Sequence, residues 1–108
     1  MCNLFSNTTA VEAMRRVFSV TPENDHLGNA APQAAIFPKG DAAIVRLDAQ
    51  GARRLDYSHW GFVLPQTSTR TGRPIQPKAV NNARDDKLRV SPFWRGAFRH
   101  RRCLIPAS

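Results

Sequence analysis

Acidic residues are scarce in this chain, and their scarcity is confined to one half of it. Of the 108 residues, 16 are Lys or Arg and only eight are Asp or Glu. Residues 1–65 hold six of each sign, so they cancel, while residues 66–108 hold ten Lys or Arg against two acids, Asp85 and Asp86. The net charge of +8 is therefore carried by the C-terminal part. Arginine outnumbers lysine thirteen to three, and the planar guanidinium fork suits bidentate contact with phosphate. A one-sided basic surface of this kind points to a polyanionic partner, with nucleic acid foremost. The plainer alternative is a solvated basic face with no partner.

Cysteine is rarer still. With only Cys2 and Cys103, a disulfide framework is excluded. Neither C-x-x-C nor H-x-x-x-H spacing occurs, so no zinc site and no other metal or cofactor is expected. Cys103 lies in an apolar run and is expected to be a buried structural residue. Long apolar runs are missing too. No segment approaches the ~20 residues that span a bilayer. The opening residues Met1-Cys2-Asn3-Leu4-Phe5-Ser6 lack the basic stretch and apolar core of a signal peptide. A cytoplasmic protein without membrane association is the expectation. A hydrophobic fraction of 42% supports one small core, hence a single domain over 1–108.

Along the chain, Val11, Met14, Val17 and Phe18 share a helical face over residues 9–18, with capping-box spacing between Thr9 and Glu12. Residues 21–32 are rich in Pro, Asn and Gly and read as a loop. Short apolar runs at 34–37 and 42–47, split by Pro38-Lys39-Gly40, read as strands around a turn. Further strands are expected at 53–57 and 59–64, with a turn at Gly51. The stretch from Pro65 to Lys78 reads as a long polar loop. Ser91-Pro92 fits a helix start, with the helix running through Phe98, and 101–105 reads as a final strand. This mixture makes an α+β fold.

Four groupings carry chemical interest. If Met1 is removed, Cys2 becomes an N-terminal 1,2-aminothiol, whose amine and thiol titrate at about 7.7–8.0 and about 8.5. Both have a nucleophilic fraction near neutrality, and together they close a thiazolidine ring on an aldehyde. On the residues alone, however, a cysteine at position 2 is ordinarily incidental. Asn81-Asn82-Ala83-Arg84-Asp85-Asp86 concentrates amide, guanidinium and carboxylate groups that can hold a phosphate or carbonyl oxygen. It reads equally well as an Asx-rich turn opening a helix. Trp60 and Phe62, beside a basic region, can stack on unpaired bases, although aromatics at strand spacing are more often core. Arg95, Arg99, Arg101 and Arg102 with His100 form the densest basic cluster and can track a phosphate backbone.

Five segments in order, Met1-Cys2-Asn3-Leu4-Phe5-Ser6, Asn29-Ala30-Ala31-Pro32, His59-Trp60-Gly61-Phe62-Val63-Leu64-Pro65, Asn82-Ala83-Arg84 and Arg101-Arg102-Cys103-Leu104-Ile105-Pro106-Ala107, resemble the SOS response-associated peptidase family. The likeness covers essentially the whole chain. It implies loss of the initiator methionine through peptidase-like chemistry of the protein itself. It further implies capture by Cys2 of the ring-opened aldehyde of an abasic site in single-stranded DNA, as a thiazolidine crosslink that shields the lesion. By the same resemblance Asn82 orients the N-terminal cysteine, Arg84 binds the flanking phosphate, and Asn29 and Pro32 line the DNA groove, while Trp60 and Gly61 are mainly structural. Arg99 and Arg101 join the expected DNA surface from the basic cluster. The implied fold is a barrel-like sheet of short antiparallel strands with two short helices, in a monomer.

The chain also departs from the family pattern. Many members carry Gly-Arg where Asn3-Leu4 stand, tryptophans where Gln66, Thr67 and Ser68 stand, and x-Glu where Asp85-Asp86 follow the N-A-R motif. This resembles a variant branch. Members also continue past the R-R-C-L-I-P-A strand to a glutamate within a few residues and a distant histidine, both acting in proton transfer. Ending at Ser108, the chain is expected to be a truncated version with open strand edges and impaired catalysis. The alternatives are a non-catalytic basic nucleic-acid-binding module or an inactive fragment.

Overall fold

The computed structural model describes residues 3–108. In chain order the elements are β1 (Phe5–Asn7), α1 (Val11–Phe18), a 3-10 turn (Pro22–Asn24), β2 (Gln33–Ile36), β3 (Asp41–Leu47), β4 (Arg53–His59), β5 (Phe62–Thr67), β6 (Pro74–Val80), α2 (Arg95–His100) and β7 (Cys103–Leu104). The strands form three small antiparallel sheets: β1 with β2, β4-β3-β7, and β5 with β6. The α+β class holds. The sheets stay separate, and no barrel closes among the described residues. No described helix is long and apolar enough to cross a membrane.

The core lies between α1 and the β3–β4 ladder. α1 contributes Met14, and Val20 follows from its C-terminal turn. Leu27 comes from the loop, and Ala43, Val45 and Leu55 come from the two strands, with Val11, Phe18 and Ala30 packed around them. Strand alternation explains the last three residues. Val45 stands directly opposite Leu55, so both reach the same face. The other face carries Arg46 opposite Arg54. Asp56 relieves that like-charge pairing, lying 2.8 Å from Arg46 Nε and 3.6 Å from Arg54 Nε.

Two helix boundaries differ from expectation. The Thr9–Glu12 capping box is not made. Instead the buried Asn7 side chain accepts the Thr9 N–H at 3.3 Å, and the helix begins at Val11 with no side-chain cap. α2 begins only at Arg95, but Ser91 does start the turn into it. Its carbonyl accepts the N–H groups of Trp94 and Arg95 at 3.1 and 2.9 Å, and its hydroxyl accepts that of Phe93. Residues 85–90 form turns, not a helix.

The largest difference is at 65–78. This stretch is not a loop but most of a hairpin, β5–β6, paired from Phe62↔Val80 to Thr67↔Pro74 with an irregularity between Leu64 and Gln66. None of its strand residues is buried. The hairpin stands away from the core, and the molecule measures 52 × 30 × 24 Å with a radius of gyration of 16.3 Å. A compact chain of this length would have about 13 Å.

Cys103 is exposed rather than buried. Its strand is only two residues long, and Leu104 and Ile105 are more than half exposed. Cys103 still lines an apolar groove of about 420 Å³ with Phe18, Val45, Leu47 and Leu104. Partial burial there pushes its thiol pKa up, which favours the unreactive neutral form.

Candidate functional site

The N-terminal strand and the 81–84 loop are tied to one corner of the fold, Trp60-Gly61-Phe62. Trp60 does not continue a strand into Phe62 as expected; it sits at the bend between β4 and β5. Its carbonyl accepts the Lys39 N–H at 2.9 Å and its own N–H donates to the Gly40 carbonyl at 2.8 Å, so the β3–β4 ladder runs out to the bend. The Trp60 ring meets the Phe5 ring of β1 edge-to-face at 5.3 Å. Phe5 lies three residues after Cys2. Met1 and Cys2 themselves lie outside the described residues.

Gly61 makes the bend with φ of +113°, a region that side-chain-bearing residues avoid. A Cβ there would lie 3.6 Å from the Val80 carbonyl oxygen, an ordinary contact, so the penalty for a larger residue is conformational. Gly61→Ala is expected to destabilise the fold by about 1–3 kcal/mol, measured as a lower urea midpoint with an unchanged slope.

From the corner the path reaches the loop through β6. Phe62 pairs with Val80, and Asn81 and Asn82 follow directly. The far end of this segment is fixed by an aromatic clasp that sequence patterns did not reveal. Phe62 stacks obliquely on Trp94 at 4.8 Å and meets Phe93 edge-to-face at 5.8 Å, with Phe93 and Trp94 4.7 Å apart. The clasp pins both ends of residues 81–94 to the base of the hairpin. The missed signal is the pairing of an aromatic after the W-G step with an aromatic pair before α2.

Within the loop Asn82 is exposed and donates from Nδ2 to Asn81 Oδ1 at 3.2 Å. Arg84 is exposed and its Nη2 lies 3.0 Å from Asp86 Oδ2. At that exposure the ion pair is worth at most about 1 kcal/mol, so a phosphate can displace Asp86 from the guanidinium. The 85–90 turns are held by Asp85 Oδ1, which accepts the Asp86 N–H at 2.8 Å, and by the Arg84 carbonyl, which accepts the Lys87 N–H at 3.0 Å.

A third segment meets β1 from its other side. The Ser108 N–H donates to the Ser6 carbonyl at 2.8 Å, and Ser108 Oγ accepts the Thr8 N–H at 3.0 Å. The remaining candidates are distributed elsewhere. Asn29 and Pro32 lie exposed on the loop before β2, and Arg99 and Arg101 lie exposed at the end of α2. Next to them Arg102 covers the Phe98 ring at 4.4 Å. Among the described residues no cluster of His, Cys, Asp or Glu assembles that could hold a metal ion.

A protein-family model described as SOS response associated peptidase (SRAP) matches residues 1–108. No curated protein and no solved structure matches the chain.

Proposed function

The chain belongs to the SOS response-associated peptidase family, and on that premise we propose that it captures abasic sites in single-stranded DNA covalently through Cys2, after removal of Met1. In this reading the freed α-amine adds to the ring-opened sugar aldehyde and expels one water, leaving an imine. The Cys2 thiolate then adds to the imine carbon while the nitrogen takes up a proton, closing a thiazolidine. The carbonyl oxygen leaves as water, and no redox partner is needed. A free amine and thiol with pKa values of about 7.7–8.0 and about 8.5 supply enough of both nucleophilic forms near neutrality.

The observation that carries this reading is the Trp60-Gly61-Phe62 corner. The strand leading in from Cys2 meets it through Phe5, and the loop bearing Asn82 and Arg84 joins it through Val80. Asn82 is suited to hold the cysteine amine or the sugar carbonyl by hydrogen bonding. Arg84, loosely held by Asp86, is suited to the flanking phosphate. Arg99 and Arg101, with Asn29 and Pro32, would extend contact along the strand, and the ten basic residues of 66–108 supply long-range attraction. The chain would act as a monomer in the cytoplasm, its three small sheets forming part of a barrel-like arrangement.

The test is a denaturing gel after incubation with single-stranded DNA carrying one abasic site. A shifted band is expected, absent in Cys2→Ala and retained in Cys103→Ala. Salt-sensitive binding without any shifted band would instead favour a non-catalytic nucleic-acid-binding module. Intact-mass measurement showing Met1 retained would remove the aminothiol on which the reading depends.

A further inference from the structure

Beyond its base at Phe62 and Val80, the β5–β6 hairpin plays no part in the covalent chemistry above, yet it projects from the core as a cationic ribbon. Its tip is preformed. The Ser68 N–H donates to the Arg73 carbonyl and the Gly72 N–H to the Ser68 carbonyl, each at 2.8 Å. Ser68 Oγ accepts the N–H groups of Arg70 and Thr71 at 3.2 Å. Gly72 completes the turn at φ of +71°. Arg70, Arg73 and Lys78 are exposed and make no ion pair among the described residues. No acidic residue occurs between Asp56 and Asp85, so nothing on the ribbon offsets their charge.

Two further features narrow the partner. Pro65, Pro74 and Pro77 sit within the two strands, and a residue without an N–H cannot extend a ladder. The ribbon is therefore guarded against strand addition by another polypeptide, while its side chains stay available on both faces. By the register, Val63 and Ala79 share one face, and the irregularity between Leu64 and Gln66 brings Ile75, opposite Gln66, to the other face with Leu64 and Lys78, so each face carries apolar groups and the second also carries a cation. The dimensions fit a duplex. The major groove of B-DNA, about 12 Å wide, admits a two-stranded ribbon and presents thymine methyl groups on its floor. A seven-residue strand reaches about 23 Å, a substantial part of a helical turn of about 34 Å.

We infer that the β5–β6 hairpin is a binding arm for double-stranded DNA. It lies in the major groove, with Arg70, Arg73 and Lys78 on the bordering phosphates. This goes beyond capture of a single-stranded lesion and does not depend on Cys2. Because β6 ends at Val80 and runs straight into Asn81 and Asn82, the duplex would lie directly beside the 81–84 loop.

The experiment uses the full chain and a short intact duplex without abasic sites, followed by fluorescence anisotropy across a salt series. The combined variant Arg70→Gln, Arg73→Gln and Lys78→Gln is expected to bind the duplex at least about tenfold more weakly at low salt, with a log–log salt slope shallower by about one for each charge removed. Its far-UV spectrum should match the parent, because the three side chains support nothing in the fold. Methyl green, which occupies the major groove, should displace the parent protein from the duplex. Cys2→Ala should bind the duplex like the parent, so failure of the covalent reading and failure of this one are read separately. Unchanged duplex affinity in the combined variant would overturn the inference. So would an equal loss for single-stranded DNA of the same length, or tighter binding to phosphatidylserine vesicles than to the duplex.

Discussion

Leu55→Ala is expected to lower the stability of the fold by about 2–5 kcal/mol, a large share of the margin that keeps a small domain folded. Leu55 has no solvent exposure. It stands opposite Val45 in the ladder and in the same cluster as Met14, Val20 and Leu27. Truncation removes its contacts with all of these and leaves a cavity that a β-ladder on one side and a helix on the other cannot collapse to fill. The effect is severe here because the core is small. Domains have about 5–15 kcal/mol of stability in total, and this one leaves Val17, Leu47, Leu104 and Ile105 more than half exposed. Urea unfolding followed by circular dichroism measures the loss. Val63→Ala, on the open hairpin, should shift the same curve by no more than about 0.5 kcal/mol. Equal shifts for the two would mean that the structural centre lies elsewhere.

Asn82→Ala is expected to slow covalent capture of an abasic site by about a hundredfold, the scale on which loss of one positioned hydrogen-bonding group acts on a reacting centre. The reasoning rests on the proposed chemistry. Asn82 is exposed, and among the described residues its side chain bonds to its neighbour Asn81, so its removal should leave folding intact. A slowed single-turnover rate, with non-covalent affinity for single-stranded DNA within a factor of two or three, would assign it to positioning. A parallel loss of affinity and rate would make it only a binding contact. An unchanged rate would remove it from the site.

Helix α1 and the β3–β4 ladder were readable from local pattern, because each buries one face and burial leaves a period in the sequence. Met14 and Phe18 mark the helix. Ala43, Val45 and Leu55 mark the strands, and Gly51 marks the turn between them. The β5–β6 hairpin escaped for the converse reason. A ribbon wet on both faces needs no apolar alternation, and its prolines, threonines and arginines imitate a loop. Cys103 misled in the opposite direction, since an apolar run implies burial only where something covers it. At the candidate site, Asn82 and Arg84 could be singled out by residue type and resemblance. The clasp of Phe62 on Phe93 and Trp94 could not, because it joins residues some thirty positions apart with no period linking them.

Charge asymmetry, the aminothiol chemistry open to Cys2 and the family relationship were all inscribed in the order of the residues, since each depends on side-chain identity alone. Folding in three dimensions settled different matters: that Phe5 and the Asn82 loop are tied to one glycine-bent corner, and that a basic hairpin projects from the core. These are relations between distant segments. They follow from which surfaces find partners and which stay bare, and no local stretch of chain carries that balance.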